Sequence, residues 1–165
     1  MVQTAATIHT ANLRSYLTDH LAGSAAGVGV AEKLAEQNEG NEFFQGLVKA
    51  IKDEQDTLER IMDKVGAEEN PMKSAGAKVA GAIGTGLSGA SASGSTGEMG
   101  SVRECEGLLM GITGKLALWN TLKEISGGDE RLSAFNYDRL IQDAVSQRDG
   151  LEDERLKMSR KAFLR

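Results

Sequence analysis

Four polar residues stand where a helical period asks for apolar ones. His20 is in register with Leu13, Leu17, Gly27 and Ala31, and Glu54 lies between Ile51 and Leu58. Lys115 shares a face with Ile112 and Trp119, and Gln147 lies between Ala144 and Leu151. A carboxylate turned inward needs a partner, because burying an unpaired charge is strongly unfavourable. Two chemistries meet that need. In the first, the Lys115 ammonium donates to Glu54, Asp19 or Gln147, and His20, Glu54, Lys115 and Gln147 form a buried polar layer that needs no cation. In the second, His20, Glu54 and Asp19 or Glu106 hold a single divalent ion, Fe, Mn or Zn, through one imidazole and carboxylates. A plainer arrangement makes His20 a hydrogen-bonded core histidine and leaves Glu54 and Lys115 partly exposed at a helix seam. No catalytic residue and no cofactor other than that one metal ion is expected.

The run GTGLSG at 84–89 matches the glycine fingerprint of dinucleotide sites. Such a site needs a strand before the glycines, a helix after them and an acid about twenty residues on. Here helical sequence precedes the run, ASASGS follows it and no strand candidate is near, so a nucleotide is not expected. A glycine zipper acting on membranes is a further reading, but the segment is too short and too polar to span a bilayer.

The elements that must position the four polar residues are helices. The chain has one proline, Pro71, and long stretches rich in Ala, Leu, Glu, Lys and Gln. The periodicity predicts helices over 10–39, 42–65, 101–125 and 133–163. Gly40 and Gly66 are the stops, Asn41 caps the second helix, and Leu132 with Tyr137 forms a hydrophobic staple for the fourth. Small residues in the middle of the first helix, among them Gly23, Ser24 and Gly27, predict a close approach by a neighbour. Met62, Met110 and Met158 are expected as core filler, Cys105 as an inert core thiol, and His9 in a loose terminal segment. Residues 71–100, rich in Gly, Ala and Ser, form a long crossover. Such a crossover lets the third helix run parallel to the second, which brings Lys115 level with Glu54 and sets Gln147 opposite 111–115.

The stretches YLTDHLAGS at 16–24, DEQDTL at 53–58 and ECEGLLMGITGKLALW at 104–119 resemble a group of bacterial ferritin-like proteins. The resemblance implies an all-α fold, a ferritin-like four-helix bundle with a Gly-rich crossover, in one domain over 1–165. It carries no established activity. The wider superfamily holds two metals with a Glu from each of two helices and a Glu-x-x-His pair from each of the others. This sequence departs from that pattern. Its histidines are His9 and His20, Glu54 is followed three places on by Thr57, and the fourth helix carries Gln147 and Glu154 with no histidine. A di-metal centre is therefore not expected.

The net charge of −5, without a basic patch, disfavours nucleic acid as a partner. Aromatic residues make up 4 %, which disfavours β-sandwiches. The one cysteine, Cys105, excludes an intramolecular disulfide and fits a reduced compartment. The N-terminal residues lack the pattern of a signal peptide, and no apolar run is long enough for a transmembrane helix. The expectation is a cytoplasmic, non-catalytic helical protein that forms a homodimer or binds a protein the sequence does not identify, without nucleic acid or membrane. An atypical metal-binding or oxidative-stress protein is the alternative.

Overall fold

The structure, a computed structural model, describes residues 8–67 and 97–164. Among the described residues five helices follow one another: α1 (Thr10–Gln37), α2 (Glu42–Lys64), α3 (Glu98–Ser126), the single turn α4 (Glu130–Ser133) and α5 (Tyr137–Phe163). No strand occurs among the described residues.

The helix ends follow the local chemistry. Asn41 caps α2, its side-chain oxygen accepting from the Phe43 N–H at 3.0 Å. Its amide also donates to Glu154 at 2.9 Å, which ties the start of α2 to α5. Gly40 and Gly66 take the left-handed backbone, φ 84° and 70°, that lets each chain end turn away from its helix. His9 caps α1 through Nδ1, which accepts from the Asn12 N–H at 3.4 Å, so it is not part of a loose end.

α1 ends at Gln37 rather than 39, and two helix starts differ from the sequence expectation by three residues or more. The third helix begins at Glu98 rather than 101, taking in the last residues assigned to the crossover. The fourth is not continuous from 133. Asp129 caps the turn α4, whereas Asn136 caps α5 and accepts from the Arg139 N–H at 3.1 Å. The buried Tyr137 hydroxyl donates to the Leu132 carbonyl at 2.9 Å, so these two residues do pack together, across the break. The rest of the crossover expected at 71–100 lies outside the described residues.

Contacts along the helices fix their directions. α1 and α2 run antiparallel, with Arg14 donating to the Gly66 carbonyl at one end and Gln45 to the Ala35 carbonyl at the other. α3 runs antiparallel to α1, from the Ser101–Gln37 bond to the Tyr16–Thr121 bond. α5 runs antiparallel to both α2 and α3, as Asn41–Glu154 and Lys123–Asp138 show. α2 and α3 therefore run the same way, and the end of α2 lies at the opposite end of the packet from the start of α3.

The core divides into two clusters of buried apolar side chains. One gathers Leu17, Leu21, Leu58, Leu118, Trp119 and Ala144. The other gathers Ala31, Leu34, Ile51, Ile112, Leu151 and Met158. Met62 and Met158 are core residues as expected, but Met110 is 70 % exposed.

The glycines correct another expectation. Gly23 and Gly27 of α1 do not serve a close approach. A Cβ added at Gly23 would meet nothing within 4 Å, and one at Gly27 would make only an ordinary contact, 3.8 Å from Leu108 Cδ1. Gly111 and Gly114 on α3 are equally open. The close approach lies elsewhere, between α2 and α5, where a Cβ at Gly150 would stand 2.5 Å from Phe43 Cε2. Substitutions should therefore have opposite signs. Gly111→Ala should stabilise the fold by roughly 0.5–1 kcal/mol, because a mid-helix glycine loses extra backbone entropy on folding. Gly150→Ala should destabilise it by about 1 kcal/mol or more by displacing the Phe43 ring. Urea unfolding of both variants measures this, and a loss of stability in Gly111→Ala would show that the gap is not open.

Candidate functional site

The two core clusters are separated because each long helix interrupts its apolar stripe at one level. Glu54 falls between Ile51 and Leu58 on α2, Lys115 between Ile112 and Leu118 on α3, and Gln147 between Ala144 and Leu151 on α5. α1 brings Gly23, Ser24 and Gly27 to the gap rather than a long side chain.

Glu54, Lys115 and Gln147 close a ring of hydrogen bonds. The Lys115 ammonium donates to Glu54 Oε2 and to Gln147 Oε1, and Gln147 Nε2 donates to Glu54 Oε1 at 3.0 Å. Both carboxylate oxygens and both ends of the amide are thereby used. The side chain of Glu54 is 7 % exposed and that of Lys115 15 %, so this is an interior ion pair. Burial pushes the Glu54 carboxyl up from its ordinary value, and Lys115 and Gln147 oppose that shift. Burial likewise pulls the Lys115 ammonium down, and Glu54 opposes it. Burial outweighs the partner in each case, and the partner is the main influence favouring the charged form.

His20 stands apart from the ring of hydrogen bonds. It is half-buried, its imidazole packs edge-on against Tyr16 with ring centres 4.6 Å apart, and it makes no hydrogen bond with any described residue. Burial lowers its pKa, and the neighbouring Asp19 carboxylate works against that. Asp19, His20 and Glu54 nevertheless line one cavity. Glu106 does not join them. It lies on the exposed side of α3 and faces Arg155 at 3.6 Å. Among the described residues no three His, Cys, Asp or Glu side chains are grouped so as to hold a metal ion. Cys105 is buried with its thiol 3.7 Å from Met158 Sδ, and burial pushes it up to about 12, which leaves it inert as a nucleophile.

The feature that sequence reasoning missed is the cavity itself. It measures about 210 Å³ and opens between α1, α2 and α3 beside the ion pair. Its wall is largely apolar, with Ile51, Leu58, Leu108, Ile112, Leu118 and Trp119 contributing. Glycines from two helices make the room: Gly23 and Gly27 of α1, and Gly107, Gly111 and Gly114 of α3. The three- and four-residue spacing of the α3 glycines is the signal that could have revealed it, since it sets them on one helix face.

The half-buried imidazole predicts a pH effect. Its folded pKa is below the unfolded one, so between those values the unfolded chain binds more protons. Its contribution to stability is therefore intact above the unfolded value near 6.5 and falls as pH drops toward the folded value. Thermal unfolding measured from neutral to mildly acidic pH should show wild type losing stability relative to His20→Gln. Parallel curves for the two proteins would contradict the assignment.

No protein-family model, curated protein or solved structure matches this chain, so the reading of the site rests on its own residues.

Proposed function

We propose that this chain is a ferritin-like four-helix bundle without a catalytic role, in which the Lys115 ammonium occupies the place of a metal. The observation that carries this reading is the closed ring of Glu54, Lys115 and Gln147 at the level where all the long helices break their apolar stripes. In ferritin-like bundles that kind of interior position is furnished by Glu residues and Glu-x-x-His pairs. Here the residues do not fit a pair of metals. α5 brings an amide instead of a carboxylate, Glu54 has Thr57 three places on, and both oxygens of Glu54 already accept hydrogen bonds. The parallel run of α2 and α3 supports the ferritin-like topology, because a short connection would make them antiparallel. The biological role then lies in self-association as a homodimer or in binding another protein, in the cytoplasm.

One observation favours a second reading, an atypical metal-binding or oxidative-stress protein. Asp19, His20 and Glu54 line the same cavity, and a lowered imidazole pKa leaves a neutral nitrogen ready to coordinate. A single divalent ion there must displace Lys115 from Glu54. The third reading, a glycine-zipper membrane protein, rests on residues outside the described ones. Among those described, no helix is long and apolar enough to cross a membrane.

Elemental analysis separates the first two readings. Protein purified without chelator and soaked in Fe(II), Mn(II) or Zn(II) should carry less than stoichiometric metal after desalting. Stoichiometric metal that disappears in both His20→Ala and Glu54→Ala would overturn the metal-free reading and establish the mononuclear site.

A further inference from the structure

The cavity beside the ion pair is a shaped space rather than a packing defect. Five positions that line it are glycines on two different helices, and at Gly23, Gly111 and Gly114 an added Cβ would meet nothing within 4 Å. The cavity opens to solvent past the exposed Gly23 and Gly111, so a ligand can enter it without unfolding the packet. The volume sets the scale of an occupant. An apolar cavity of about 150 Å³ accommodates benzene, and the present one, at about 210 Å³, has room for a single ring with a short substituent.

The polar side of the wall sets the chemistry. Lys115 uses two of its donors on Glu54 and Gln147, and the third has no acceptor among the described residues. Glu54 already balances the ammonium. An anionic ligand would bring an uncompensated charge beside the Glu54 carboxylate. A cation would compete with Lys115 itself. A neutral molecule with one oxygen acceptor satisfies the remaining donor and leaves the charge balance intact.

We propose that this cavity binds a small neutral molecule, one apolar ring in size, carrying a single hydroxyl or carbonyl oxygen that accepts from Lys115. The ring fills the space between Gly23 and Gly27 of α1 and Gly111 and Gly114 of α3. Leu108, Leu118 and Trp119 provide the apolar contacts.

The experiment uses Trp119, the only tryptophan of the chain and part of the cavity wall, as its reporter. Benzyl alcohol, toluene and benzoate are titrated into the full-length protein. They share a ring and differ in having a neutral oxygen, no oxygen or a charge. Indole fluorescence is excited at the red edge, where the probes do not absorb, and melting temperature is followed in parallel. Benzyl alcohol should give a saturable change and raise the melting temperature. Toluene should bind about tenfold more weakly, having lost a hydrogen bond to a charged donor. Benzoate should also bind at least about tenfold more weakly, because Glu54 already balances Lys115 and the added charge has no counter-charge. Gly111→Leu adds bulk where the structure has open space, so it should fold normally and lose the benzyl alcohol response. No saturable response to any probe, or a response unchanged in folded Gly111→Leu, would overturn the site. Benzoate binding as tightly as benzyl alcohol would overturn the neutral-ligand assignment, and toluene binding as tightly would overturn the role of Lys115.

Discussion

A carboxylate placed in an apolar interior has to be neutralised where it stands, and the packet is organised around that need. Glu54 lies between Ile51 and Leu58 with its side chain almost wholly buried. Its neutralisation requires an ammonium from α3 and an amide from α5 at the same height. That requirement fixes the register of three helices against one another more narrowly than apolar packing does. Leucine layers tolerate small shifts, whereas a ring of three hydrogen bonds tolerates little. Burial works against both charges of the pair, and the partner is what chiefly opposes it in each case. The same polar level splits the apolar core into two clusters that meet only across it.

The fourth long helix answers the polar level differently. α1 brings no acceptor or donor to the ring and presents small residues there, so space remains where a side chain would otherwise stand. The glycines thus divide by function. Gly150 is small because the Phe43 ring comes against it, and Gly40 and Gly66 are glycines because the chain turns through a left-handed backbone. Gly23, Gly111 and Gly114 answer to neither need, and they line a volume beside an ammonium whose third donor has no acceptor among the described residues. The His20 imidazole, which also lines that volume, adds sensitivity to mild acid without joining the ring.

Much of this arrangement was legible in the sequence, for identifiable reasons. Helical periodicity exposed Glu54, Lys115 and Gln147 as polar residues in apolar registers, and antiparallel geometry with a long connection put them at one height. Their closure into a ring needed only that geometry. His20 was grouped with them because it shares the α1 stripe, but a ring packed on Tyr16 does not reach across to Glu54, and periodicity gives no information on reach. Glu106 lies on the exposed side of α3 beside Arg155, a partner more than forty residues away in sequence that no local pattern points to. The break at 134–136 was hidden because Asp129 and Asn136 are ordinary polar residues whose capping is decided by tertiary contacts such as Tyr137 on Leu132. The cavity was the hardest to foresee. Small residues on a helix face fit close approach and empty space equally well, and only the separation between backbones distinguishes them.

The central claim is that Lys115 neutralises Glu54 in the interior, and a double-mutant cycle tests it most directly. Urea unfolding near neutral pH would be measured for Glu54→Leu, Lys115→Met and the double variant. Removing one partner of a buried pair should cost about 3–5 kcal/mol, whereas replacing both with apolar side chains of similar size should recover most of that loss. Single variants that lose less than about 1 kcal/mol, as exposed pairs do, with a double variant that is merely additive, would show that the two charges do not depend on each other.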